Sequence, residues 1–87
     1  MFIQKGRFNK IFMNFAQKLQ ILRMSKGYSQ KEMAEFVNVT QPTIWAYESG
    51  RAKPHLNTLK QLARALNVSV DDLVDDIEKP NTEGSKN

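Results

Sequence analysis

Four residues that accept left-handed backbone geometry, Gly27, Asn38, Gly50 and Asn67, divide the chain into short segments. Glycine lacks the Cβ that clashes in that geometry, and Asn enters it with help from local hydrogen bonding, so each reads as the residue that closes a helix. Tyr28, Val39 and Val68 follow three of them, and an apolar residue there packs back onto the helix it leaves. Asn14, Ser29, Thr40 and Ser69 have the short polar side chains that accept from unpaired N–H groups at a helix start. Asn14 with Gln17, Ser29 with Glu32, and Ser69 with Asp72 have the spacing of a capping box, the last with Asp in place of Glu or Gln. A chain punctuated this often can build only short helices.

The marks predict five helices. Each has an apolar period of 3.6 residues, and no stretch alternates as a strand does. Helix 1 spans Phe15 to about Lys26, with Phe15, Ala16, Leu19 and Leu22 on one face. Helix 2 spans Gln30 to Val37, with Met33, Ala34 and Val37 inward. Helix 3 spans Gln41 to about Ser49, with Ile44 and Tyr47 inward. Helix 4 spans Leu56 to Leu66, with Leu56, Leu59, Leu62, Ala63 and Leu66 in register. Helix 5 spans Val70 to about Ile77, with Val70, Leu73, Val74 and Ile77 apolar. The expected fold class is all-α, a compact five-helix bundle over residues 14–78. It follows a basic and aromatic extension, residues 1–13, and precedes a polar tail, residues 79–87, expected to be disordered.

Composition narrows the function. With 87 residues the chain is expected to form one domain, too small to enclose a large substrate. The lack of cysteine excludes a disulfide framework and a cysteine-ligated zinc. It also makes the cytoplasm the expected compartment; no run of apolar residues is long enough to cross a membrane, and the N-terminus lacks the apolar stretch of a signal peptide. The net charge of +4 is unevenly placed. Residues 1–70 hold eleven Lys or Arg against three Glu, whereas residues 71–87 hold two Lys against six acids. A basic body suits a polyanion by counterion release, or is a solubility charge.

The informative stretch is Ser29 to Gly50, two short helices joined by the turn Asn38-Val39-Thr40. Short helices cross closely only where a small residue sits at the contact, and Ala34 supplies one. Val39, Ile44 and Tyr47 anchor the second helix, leaving its outer face proud of the body, as in a helix-turn-helix. Further marks stand in order around it: Leu22-Arg23, Ser29-Gln30, Thr43-Ile44, Glu48-Ser49-Gly50-Arg51, Pro54, and Leu62-Ala63-Arg64-Ala65-Leu66-Asn67-Val68. Together they resemble the Cro/C1-type helix-turn-helix family, also called XRE, over about Phe15 to Val74. One departure is Asn38, where that family often has Gly.

The resemblance implies a lambda-repressor-like domain that binds double-stranded DNA and regulates transcription, as a repressor, with helix 3 in the major groove. It implies a homodimer on a palindromic operator whose half-sites lie about one helical turn, ~34 Å, apart. Candidate base contacts are Gln41, Pro42, Thr43, Trp45 and Ala46, the residues helix 3 turns outward. Gln41 leads because its amide can pair bidentately with adenine N6 and N7; the alternative is a solvated polar residue. Pro42 fits the first turn, where its missing N–H costs little, and takes away a polar contact. Thr43 is expected to meet a phosphate or a thymine methyl, or to bond locally. Trp45 either packs on thymine methyls or sugar, or covers the protein surface or a partner chain. Ala46 leaves room for a base or offers a methyl contact. Candidate phosphate contacts are Gln30 at the positive end of helix 2, Arg51 and Lys53 after helix 3, and Asn57 near the start of helix 4. The alternative for Arg51 and Lys53 is a solvated loop charge. Arg23 and Glu48 match a family pair that forms a partly buried salt bridge fixing the angle of the reading helix.

Two other classes, an enzyme and a protein-interaction module, leave fewer marks in the chain. The only histidine, His55, reads as a helix-start surface residue, so neither a catalyst nor a metal or cofactor site is expected. Asp71, Asp72, Asp75 and Asp76 could hold a divalent cation, but Asp at a helix N-terminus and a solvated face account for them more simply. An antitoxin or bridging-type protein-interaction module would keep the same fold and take a protein partner. The residues Phe2, Ile3, Phe8, Ile11 and Phe12 would suit that, or would extend helix 1, dock on the body or join two chains. They would equally follow from an upstream start, with Met13 as the natural one. The other candidate dimer contacts are Leu73, Val74 and Ile77 of helix 5.

Overall fold

The computed structural model of the chain describes residues 13–74. Among these residues the secondary structure is five helices and no strand: α1 Phe15–Ser25, α2 Gln30–Val37, α3 Gln41–Glu48, α4 Leu56–Leu66 and α5 Val70–Leu73. The N-terminal aromatics, the foreseen end of helix 5 at Asp75 to Ile77 and the polar tail lie outside the described residues.

Every turn residue singled out from sequence has positive φ: Gly27 78°, Asn38 64°, Gly50 79° and Asn67 58°. Each of the four turns closes in the same way. The N–H of Tyr28, Val39, Arg51 and Val68 donates back to the C=O of Arg23, Ala34, Ala46 and Ala63, at 2.9–3.1 Å. A second, inner bond runs from Gly27, Asn38, Gly50 and Asn67 to Met24, Glu35, Tyr47 and Arg64. This is the Schellman arrangement, which satisfies the carbonyls a helix end leaves unpaired. The starts are equally regular. Asn14–Gln17, Ser29–Glu32 and Ser69–Asp72 form reciprocal capping boxes, and Thr40 Oγ1 accepts from the Thr43 N–H. His55 begins α4 with no side-chain cap bond.

The capped helices share one core. α3 packs on α2 and α1, α4 packs on α2, and α5 closes the base against α4 and α1. Leu19, Met33, Ile44, Leu62, Leu66 and Leu73 are fully enclosed. Burying each contributes about 1.5–3 kcal/mol relative to exposure, so the core rather than the short helices' own propensity holds the bundle. The Phe15 ring meets Tyr47 edge-on, at 6.1 Å between centroids. Burial pushes the Tyr47 phenol above its ordinary 10.0, keeping that ring neutral. Tyr28, Val39 and Val68 pack against the core from their turns, as their positions required.

Three expectations need correction. Leu56 is exposed, not inward: it is the first residue of α4 and projects beyond the body that covers Leu62 and Leu66. Helix 5 ends at Leu73, because Val74 turns into extended backbone (ψ 160°) with its carbonyl held by Lys18 Nζ at 3.0 Å. Leu73 has no exposed surface in a single chain, so it belongs to the core and is closed to a dimer partner.

The turn geometry gives a direct test. Asn38→Ala places a Cβ-bearing residue without a compensating amide at φ 64° and should lower stability by about 1–2 kcal/mol in urea denaturation. Asn38→Gly should match or exceed the parent.

Candidate nucleic-acid interface

The outer surface is set by how α3 is anchored. Ile44 and Tyr47 are buried, Thr43, Ala46 and Glu48 are half-buried, and Gln41, Pro42 and Trp45 are exposed. The helix therefore turns its first turn and Trp45 away from the core. It carries no carboxylate other than Glu48, which faces the body.

Glu48 is the centre of a polar network. Arg23 Nε donates to Oε2 at 2.6 Å and Nη2 to Oε1 at 3.0 Å, a two-pronged pair whose side chains are 10% and 3% exposed. The third guanidinium nitrogen, Nη1, donates to the Tyr28 carbonyl at 2.6 Å, so Arg23 ties α1, the turn after it and the end of α3 together. Gln30 Nε2 donates to Glu48 Oε1 at 3.0 Å, and Gln41 Nε2 donates to Gln30 Oε1 at 2.6 Å. The chain of contacts thus starts in the interior at Arg23 and ends on the surface at Gln41. Gln41 retains its carbonyl and a second amide hydrogen for an outside partner, because an amide side chain has two donors and an acceptor.

The remaining sequence candidates fall in three places. Arg51 and Lys53 lie exposed in the loop after α3, and Arg51 spans the Trp45 ring with its guanidinium carbon 5.2 Å from the centroid. Asn57 is exposed near the start of α4. Gln30 opens α2 but is half-buried, with its amide engaged to Glu48 and Gln41 on both sides. The Thr43 hydroxyl shares a 2.8 Å hydrogen bond with Thr40, the local bonding that was its alternative. Two features had no local signal in the sequence. The glutamine relay joins residues 11 and 18 positions apart, and the Arg51–Trp45 stack depends on the Gly50 turn. Phe36 also stands 54% exposed, edge-on to Tyr28 at 4.8 Å, beside an open groove completed by Gln61, Arg64 and Ala65.

Comparison with known proteins identifies the family. The helix-turn-helix family model matches residues 19–73, so the chain belongs to the helix-turn-helix family of Cro/C1 (XRE) type, with its lambda-repressor-like fold. The chain is 45% identical over 60 residues to the SPbeta prophage-derived uncharacterized HTH-type transcriptional regulator YonR of Bacillus subtilis (strain 168), covering 69% of this chain and 56% of that protein. It is 36% identical over 64 residues to the cryptic phage CTXphi transcriptional repressor RstR of Vibrio cholerae, covering 74% and 58%. It thus spans little more than half the length of these curated relatives. Among solved structures, it is similar to the biofilm master regulator SinR in complex with DNA: TM-score 0.64, 30% identity, 68% of this chain and 95% of that one.

The ion pair is the point to test. Glu48→Ala leaves the enclosed Arg23 charge unpaired and should cost about 3–5 kcal/mol in urea denaturation. A loss below about 1 kcal/mol would show that the pair behaves as a surface salt bridge.

Proposed function

We propose that the chain is a sequence-specific, double-stranded DNA-binding transcriptional regulator that reads the major groove with α3. The observation that carries this reading is the Gln41 side chain. It is exposed on the first turn of α3, and an inward relay already orients its amide while leaving donor and acceptor capacity for adenine N7 and N6. Around it, Pro42, Trp45 and the edge of Ala46 offer apolar contact to base edges, and Thr43 stands at the flank of the helix start. Arg51 and Lys53 follow on the same side of the turn, with Gln30 at the positive end of α2 and Asn57 at α4. These meet the phosphates, holding register without reading sequence. In Gln30 the hydrogen not given to Glu48 is the one available to a phosphate.

We further propose that the protein acts in the cytoplasm as a homodimer on a two-fold operator, and represses by excluding polymerase. The name of RstR supports repression, being that of a transcriptional repressor 36% identical to this chain. The basic body and the carboxylate-free outer face of α3 favour DNA over a protein partner. No bound cofactor or metal is part of the proposal.

Selection of duplexes from a random pool with the full chain should return a two-fold consensus. Sedimentation should then give two chains per duplex. On the selected site, Gln41→Ala should lose about 1–3 kcal/mol of binding and relax preference at one base position per half-site. Arg51→Ala should weaken binding to every sequence and flatten the dependence of log affinity on log salt by about one unit. An equal loss on all sequences for Gln41→Ala would reject it as a reader, and an unchanged salt slope would remove Arg51 from the phosphate contacts.

A further inference from the structure

The outward face of α3 presents an apolar surface where a polyanion is expected. Trp45, the sole tryptophan, is 47% exposed, and Pro42, one turn earlier, is exposed beside it. The Gly50 turn reverses the chain, the Arg51 N–H donates to the Ala46 carbonyl at 2.9 Å, and the guanidinium comes to rest over the ring at 5.2 Å. At the other three turns this position holds Tyr28, Val39 or Val68, packed against the core. Arg51 takes the same position but packs on an outward ring, so the turn stiffens a surface residue instead of the interior.

We propose that Trp45, held by Arg51, is a preassembled reader of the thymine 5-methyl group in the major groove. This rests on the DNA-binding reading above. The methyl is the one apolar group that a base pair presents in that groove, and it distinguishes thymine from cytosine by shape and polarity. An indole with a cation seated beside it offers the methyl a flat apolar partner, with less ordering left to do on binding than a ring without that contact. Arg51 serves both ends of the arrangement. Its guanidinium lies within cation–π reach of the ring, and its several N–H donors leave capacity for a bond to the flanking phosphate. Trp45 is therefore a specificity-determining residue, and Arg51 positions it.

Deoxyuridine, which lacks only the methyl, supplies the probe. In the duplex selected by the full chain, each thymine is replaced in turn and binding is measured. At one position per half-site the parent should lose about fourfold for the methyl removed. Trp45→Ala should bind more weakly and show no loss at that position, while keeping its sensitivity elsewhere. 5-Bromouracil, whose bromine is close to a methyl in size, should restore parent affinity there and quench the emission of the sole tryptophan. Arg51→Ala should shrink the methyl effect without abolishing it; an undiminished effect would overturn its positioning role. Tight binding with equal uracil penalties in parent and Trp45→Ala at every position would overturn the methyl reader and leave DNA reading intact. Trp45→Ala binding as tightly as the parent would assign the ring to a protein surface and likewise overturn it. Failure of the parent to bind any duplex would remove both.

Discussion

The orientation of α3 depends on one enclosed charge pair. Arg23 and Glu48 stand 25 residues apart on different helices, and their two-pronged contact fixes distance and angle at once. Neither charge could be left alone at 10% and 3% exposure, so the body must close around both or around neither. Apolar packing of Ile44 and Tyr47 attracts α3 to the core but tolerates small rotations. The planar fork on Glu48, at the last residue of α3, does not. The extra bond to the Tyr28 carbonyl then ties the same guanidinium to the turn that leads into α2.

Rigidity at Glu48 reaches the surface because its carboxylate has more acceptor capacity than Arg23 uses. Gln30 takes up Oε1, and the far end of the same amide accepts from Gln41. Each bond fixes the amide orientation of the next residue, since an amide that donates at one end presents its oxygen at the other. A buried ion pair, whose attraction is largely offset by the cost of desolvating both charges, thereby gains a second role as the anchor of an exposed side chain. That role accounts for a glutamine at the start of both α2 and α3 better than helix propensity does.

Much of this was legible in the sequence, for particular reasons. Asn38 and Asn67 announced turns because few side chains accept positive φ, and Ser29 with Glu32 announced a start because three residues is the reach of a capping box. Periodicity placed Leu19, Met33, Ile44 and Leu62 inward because it reports direction around a helix axis. It does not report where along the axis the body stops, which is why Leu56 was misplaced. Nor does it register a long-range bond such as Lys18 to the Val74 carbonyl, at which the regular helix has already ended. The Arg23–Glu48 pair was reached by family resemblance. The relay through Gln30 and the stack on Trp45 join side chains brought near only by the assembled turns.

The two kinds of anchoring divide the outer face of α3. At its first turn, Gln41 is held by polar bonds running inward, and the reader is itself polar, suited to a donor–acceptor pattern on a purine. One turn later, Trp45 is held by a cation on its open side, and the reader is apolar, suited to a methyl. Polar orientation needs a continuous bonded path to the interior, and among the described residues such a path runs to the start of α3, where Gln30 stands within reach. Further along the helix, Ile44 and Tyr47 fill the space beneath, so an exposed side chain there can be steadied only from outside. Arg51 does this because the Gly50 turn sends the chain back across the helix it has just left. The turn that ends α3 thereby becomes part of the surface that α3 presents.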